Sequence, residues 1–426
     1  MGMNKKKQLP LLTAGIILLI CIPYWAGTLG VPFHPDESAQ LYMSADVELL
    51  FENPTDLFWT PAETGGLREQ YRLLDAPLTR ALIGLGRALS NTAALPADWV
   101  WSASWEENSG NGALPDRWLL AVGRLSVAWL FPLTLWFTYE AGKSLGSKRL
   151  GWLALVLMAI NALVLLHTRR AMAESALLFC VALFIWLALR EKTPAWLLGL
   201  AAGLAFCAKH SAVTLLPLGL VAVLWVRHSQ LHWTRYLLRA GAYLLAFGLV
   251  YGLLNPWLWQ YPVQATQAAL TARQELAARQ TAEMRAANAD QALDTPGERL
   301  VGALAQLYFA PPAIWDVGNY AEVQQSDADH YLANPLHRLL RSFGGGGILL
   351  ALTLVGIALA VRGVIKEPTE RRGLALLLLG FGLQLGFQAG FVTLPFQRYV
   401  IPLLPWIGLL MGYALHKAIR LPMKRK

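Results

Sequence analysis

The sequence predicts an all-α polytopic membrane protein with about ten transmembrane helices and two large extracytoplasmic loops that carry interfacial helices. Three observations predict it. Of the 426 residues, 55% are apolar and 15% charged, which is well away from ordinary soluble composition. Apolar stretches close to the ~20 residues that cross a bilayer recur from end to end. Lysine and arginine gather in alternate connections between them.

In chain order the candidate spans are roughly 9–29, 118–140, 150–167, 172–189, 195–208, 211–226, 236–254, 345–361, 373–391 and 399–416. Lys5-Lys6-Lys7 precede the first, but no small-x-small cleavage site follows it, so it reads as a retained span. The fifth is the shortest. All spans belong to one membrane domain, 1–426, interrupted by a first outer loop at 30–117 and a second at 255–343.

Short loops rich in Lys and Arg stay cytoplasmic, whereas long loops cross regardless of charge. Lys5 to Lys7, Lys143/Lys148/Arg149, Arg190/Lys192, Arg227/Arg235/Arg239, Arg362/Lys366/Arg371/Arg372 and the tail Lys417 to Lys426 therefore mark one side. Both termini are predicted cytoplasmic, in a plasma (inner) membrane. Ser104 and Ala289 then fall outside and Ser147 inside. The net charge of +9 follows largely from this bias and from contact with lipid headgroups, so it gives no support to nucleic-acid binding. Cys21, Cys180 and Cys207 lie in or beside apolar segments, leaving no evident disulfide for the outer loops.

In the first outer loop, Leu78, Leu82, Leu85 and Leu89 repeat at helical spacing after Pro77, with Arg80 and Arg87 on a different face; this predicts an interfacial helix. In the second, Gln264 to Gln291 is alanine-rich and reads as a solvated helix with i,i+4 ion pairs among Arg273, Glu275, Arg279, Glu283 and Arg285. No chemistry is evident there. Trp257 and Trp259 are placed as headgroup anchors, and Gly344 to Gly347 as a site of close helix packing.

The chemistry is expected at His34-Pro35-Asp36-Glu37, just past the first span. Pro32 and Pro35 stiffen the approach, and two adjacent carboxylates at a membrane exit are costly without a task. The competing reading is a solvated turn in which the aspartate caps a helix. Four further positions fall on the same predicted side. Arg170 and Glu174 flank the turn between spans three and four, where an i,i+4 ion pair is the plain alternative. Lys209, beside His210, is a cation on the outer side, or a lysine snorkelling to the interface. Arg398 and Tyr399 open the last span, where a membrane anchor would also fit. Asp75, three residues after Arg72, could cap the interfacial helix.

Taken together these residues resemble the glycosyltransferase C superfamily, in the branch of the protein O-mannosyltransferases and lipid A aminoarabinose transferases. The resemblance rests on Asp36-Glu37, on Arg169-Arg170 to Glu174, on Lys209 after Gly199-Leu200-Ala201-Ala202-Gly203-Leu204-Ala205, and on Arg398-Tyr399-Val400-Ile401-Pro402-Leu403-Leu404-Pro405. The family often has a lysine and paired prolines where this chain has Asp75-Ala76-Pro77, and an Asp where it has Glu174.

The resemblance implies transfer of a sugar from a polyprenyl-phosphate monosaccharide to a hydroxyl of a lipid, glycan or protein, outside the cytoplasm and with inversion. It implies Asp36 as the base for the acceptor hydroxyl. Lys209 and Arg398 would meet the leaving phosphate, with Arg170, Tyr399, Asp75 and Arg72 lining the substrate. Glu37 and Glu174 would orient sugar or acceptor. A divalent metal is left open, with His34, Glu37 and His210 as candidate ligands. Two other classes fit the topology: a transporter or flippase for lipid-linked sugars, which would place charge near the midplane as Arg124 alone does here, and an O-antigen-type polymerase.

Overall fold

The computed structural model describes residues 5–61, 65–225, 232–287 and 292–420. Arg227, Ala289, the end of the outer helix at Gln291 and the tail beyond Arg420 lie outside the described residues. Among the described residues there are helices and no strand.

Each candidate span is helical. Among the described residues six helices are long and apolar enough to cross a membrane: Leu11–Thr28, Arg117–Leu145, Trp233–Leu254, Phe343–Lys366, Arg371–Phe391 and Gln397–Ile419. Ala173–Leu189, Ala195–Ala208 and His210–Leu224 are shorter apolar helices. The stretch 150–167 is two helices, Lys148–Ala159 and Ala162–His167. Asn161 makes the break, because its side chain accepts the Leu163 and Val164 amides and starts a new helix.

Burial separates the centre of the bundle from its rim. Ala173–Leu189 is apolar on every face and buried almost throughout. The last span is 89% buried, against 11% for Trp233–Leu254 and 22% for Phe343–Lys366. The rim helices turn Leu238, Leu245, Leu253, Ile348 and Leu354 outward, as a lipid-facing surface requires. Close approach relies on small residues. Gly199 and Gly203 let Ala195–Ala208 lie against the Tyr243 carbonyl and Val250, where a Cβ would collide. Gly346 does the same against the Tyr308 carbonyl and Gly345 against the Leu340 backbone, so the packing expected of the four-glycine run holds for its middle two, while Gly344 and Gly347 face open space.

In the first outer loop, Leu78–Ser90 is the expected helix, with Leu85 and Leu89 exposed. Its arginines, however, turn inward. Arg87 is fully buried and grips both oxygens of Glu48 at 2.7 and 2.9 Å, and Arg80 lies 3.6 Å from Asp46. The helix Asp46–Glu52, earlier in the same loop, supplies these carboxylates, so the basic face meets protein; Leu78 and Leu82 pack on the core and only Leu85 and Leu89 point away. In the second loop Pro262–Ala287 is largely exposed, with the Arg279–Glu283 pair formed at 3.9 Å. Trp257 is not a headgroup anchor: it is buried and donates to Asn255. Trp259 is exposed, as an anchor would be.

Candidate active site

His34 is extended at φ −129° and ψ 135°, and the helix Pro35–Met43 begins directly after it. The helix cap is therefore His34 and not Asp36: its Nδ1 accepts the Asp36 amide at 3.1 Å. Successive side chains on a helix diverge by about 100°, so the two adjacent acids enter different surroundings.

Glu37 points into the bundle and is completely buried. Arg124 clasps both of its oxygens at 2.8 Å, and they also accept the His34 amide at 3.0 Å and the Ala171 amide at 2.8 Å. Burial pushes this carboxyl up, but the charge and hydrogen bonds of Arg124, the charge of Arg170 and the Ala171 amide together outweigh it, and the net shift is downward. Arg124 also donates to the Thr28 and Val31 carbonyls. The expected substrate-orienting role of Glu37 thus meets a geometry that ties the first span, the turn at Ala171 and the Arg117–Leu145 span together.

Asp36 points the other way, with its side chain 33% exposed. Arg398 reaches it through Nη1 and reaches Asp316 through Nε at 3.0 Å. Asp316 comes from the second outer loop, is nearly buried, and lies 3.3 Å from His34 Nε2. Because Nδ1 already accepts an amide, the His34 proton is assigned to Nε2, facing Asp316. Burial and the charges of Arg170 and Arg398 keep His34 neutral well below its usual range, and burial raises the Asp316 carboxyl. Sequence reasoning missed Asp316. It stands alone in Ile314-Trp315-Asp316-Val317-Gly318, with no spacing to mark it.

The Tyr399 ring lies between two cations, 5.6 Å from the Arg398 guanidinium and 5.1 Å from Lys209 Nζ. Lys209 pairs with the buried Glu174 at 2.6 Å, so it is not a snorkelling lysine. Glu174 therefore does not form the i,i+4 pair with Arg170. Arg170 is buried and donates to the Pro32 and Ile314 carbonyls, joining the two outer loops instead of lining an open site. Arg72 is likewise committed, to Asp46 at 2.8 Å and to the Asp56 carbonyl. Asp75 does not cap Leu78–Ser90, whose N-cap is Pro77; it ends the helix Leu67–Leu74. Its carboxyl is half-buried, raised by burial, and feels the charges of Arg273, Arg80 and Lys209.

An open apolar groove of about 570 Å³ runs between His210–Leu224 and Arg371–Phe391, lined by Val213, Pro217, Leu379, Leu383 and Phe387 among others. None of the charged residues above lines it; Val213, on its wall, lies four residues after Lys209 in the chain.

The fold is one shared with solved structures of archaeal oligosaccharyltransferases and of ArnT. The chain is similar to the oligosaccharyltransferase AglB from Archaeoglobus fulgidus in complex with an inhibitory peptide and a dolichol-phosphate: TM-score 0.51, 11% identity, covering 96% of this chain and 51% of that one. An A. fulgidus oligosaccharyltransferase structure with zinc and sulfate gives 0.53, 12%, 96% and 50%. ArnT from Cupriavidus metallidurans bound to undecaprenyl phosphate gives 0.51, 13%, 97% and 61%. This chain therefore spans about half to three fifths of their length. No family model matches, and no curated protein does.

Zinc in one of these structures raises the question of a metal here. Among the described residues no three His, Cys, Asp or Glu side chains are grouped as ligands, so His34, Glu37 and His210 do not form the expected set. Glu37 is saturated by Arg124 and two amides, and the position between Asp36 and Asp316 is held by a guanidinium. A divalent cation does not fit this arrangement.

Proposed function

We propose that this protein transfers a sugar from a polyprenyl-phosphate-linked monosaccharide to a hydroxyl of a lipid, glycan or protein acceptor, with inversion. The observation that carries the reading is the Arg398–Asp36 pair, with Arg398 and Lys209 both against the Tyr399 ring, in a fold that also holds an apolar groove between His210–Leu224 and Arg371–Phe391. The groove suits a polyprenyl chain. Lys209 and Arg398 suit a phosphate that gains negative charge as the glycosidic bond breaks, because cations aimed there stabilise the transition state more than the ground state.

Asp36 is the base in this reading. Without donor it is latched by Arg398. A donor phosphate competes for that guanidinium, and the exchange frees Asp36 to take the acceptor's proton as its oxygen attacks the anomeric carbon. Asp316 and His34 hold the arginine and the aspartate in register through the exchange. The transporter reading depended on Arg124, and that charge is neutralised by Glu37 and backbone carbonyls. The site faces the extracytoplasmic side of an inner membrane with both termini cytoplasmic. A cysteine at Ser104 should then react with an impermeant thiol reagent in intact cells, and one at Ser147 should not.

The test is a transfer assay on purified protein in lipid nanodiscs, supplied with radiolabelled polyprenyl-phosphate monosaccharides and membrane extract. Free polyprenyl phosphate should appear in step with label on a new acceptor. Label that crosses the bilayer still attached to its lipid would make the protein a flippase.

A further inference from the structure

Next to His34 lies a cluster of aromatic rings. We infer that Phe33, Trp99, Trp101, Trp105 and Tyr320 form an acceptor subsite that binds the pyranose ring of a carbohydrate. The inference rests on the glycosyl-transfer reading above and narrows its acceptor from any hydroxyl to a sugar hydroxyl.

Geometry is the first argument. Trp99 and Trp105 have ring centroids 5.6 Å apart, Trp99 and Tyr320 6.0 Å, Trp101 and Tyr320 6.3 Å, and Phe33 and Trp105 6.0 Å. The planes meet at 61° to 88°, edge to face. Trp99 and Tyr320 are buried at 4% and 1% and serve as the base against which the other rings are set edge-on, so the accessible surface for a ligand is that of Trp101, Phe33 and Trp105. Trp101 is 42% exposed, and Phe33 and Trp105 are half-buried. Electron-rich faces of this kind suit the C–H face of a pyranose, which carries the positive edge of the same electrostatics.

An unmet polar group is the second. The Trp99 indole N–H is enclosed in the cluster, with the residue only 4% exposed, and has no hydrogen-bond partner. A buried donor left unmade is costly. Tryptophans that anchor a protein at headgroup level keep this N–H in water, so an anchoring belt does not account for it. A ring hydroxyl of a bound sugar would.

Position is the third. Tyr320 sits edge-on to His34 at 6.2 Å, and Phe33 is the residue before His34. The platform therefore abuts the residue that caps Asp36. A sugar bound there lies beside the turn that carries Asp36, within the neighbourhood from which its hydroxyl would have to be deprotonated.

The experiment is saturation-transfer NMR on the full chain in nanodiscs, with the methyl glycosides of mannose, glucose, galactose and N-acetylglucosamine and with a blocked serine tripeptide as probes. At least one glycoside should take up saturation at its ring protons. Binding should weaken about tenfold in Trp101→Ala and in Trp105→Ala, and Trp105→Phe should recover most of it. Undecaprenyl-phosphate binding, measured on the same samples by native mass spectrometry, shows that the variants are folded and should not change. The inference is overturned if no glycoside is saturated while the lipid still binds, if the double alanine variant binds glycosides as well as the wild type, or if only the peptide binds. Failure of the wild-type protein to bind the lipid phosphate would instead sink the parent reading, and the two failures appear in different signals.

Discussion

Asp36 and Glu37 are neighbours in the chain and opposites in the fold. Glu37 is sealed, gripped at both oxygens by Arg124 and by two amides, so every acceptor position it has is in use. Asp36 is one-third exposed and leans on Arg398, itself positioned by a second carboxylate. A carboxylate that has exchanged all its water for fixed partners is scaffold. One that keeps access and a displaceable partner can do chemistry. The difference teaches that an acid pair in a sequence is one question about burial asked twice.

Arg124→Met breaks the comparison most severely. It strands a buried carboxylate, which costs about 3–5 kcal/mol, so the variant should unfold in detergent far below the wild type in a thermal melt. A melt unchanged within a degree or two would mean that Glu37 is not scaffold. Asp36→Asn should leave the melt nearly alone and lower turnover by about 10²-fold or more. Activity retained by that variant across pH would end the assignment of Asp36 as base.

Arg398 sharpens the same contrast. Both Arg398→Ala and Arg398→Lys should lose on the order of 10² in turnover, because an ammonium cannot bridge Asp36 and Asp316 from two separate nitrogens or hold a phosphate with two parallel bonds. Turnover of Arg398→Lys close to wild type would show that charge alone is enough.

The smallest effect is on pH. His34 is held neutral in the fold below its usual value of 6.5, so between the two values the unfolded chain binds a proton that the folded chain does not. Stability then rises with pH, and it is lost as pH falls below about 6.5, by up to about 1.4 kcal/mol per pH unit. Melts of wild type and His34→Gln from pH 8 to 5 should diverge in that window. Parallel curves would remove the charge argument for His34.

Legibility followed the range of the interaction. Hydropathy located all ten apolar segments, because a bilayer-facing or bundle-facing helix has to be apolar along its own length. Ala195–Ala208 is short in sequence and in structure alike. The extended approach of His34 and Pro35 and the glycine contacts at Gly346 also follow from local rules. Asp36 could be singled out by its position after a span, and Lys209 and Arg398 by positive charge where the topology offers no reason for it.

Partnership was not legible, since it joins residues far apart in the chain. Arg398 meets Asp36 across 362 residues and Lys209 meets Glu174 across 35. Arg170 and Glu174 have helix spacing yet make no pair, because the helix starts only at Ala173 and Arg170 lies outside it. Asp316 had no neighbour to announce it. What the sequence determined by itself was where apolar length, proline and charge force a chain to run. Which acid is sealed and which left open, and which arginine holds which carboxylate, was decided when the two outer loops closed over the bundle. Burial and pairing energies depend on three-dimensional surroundings that no local pattern contains.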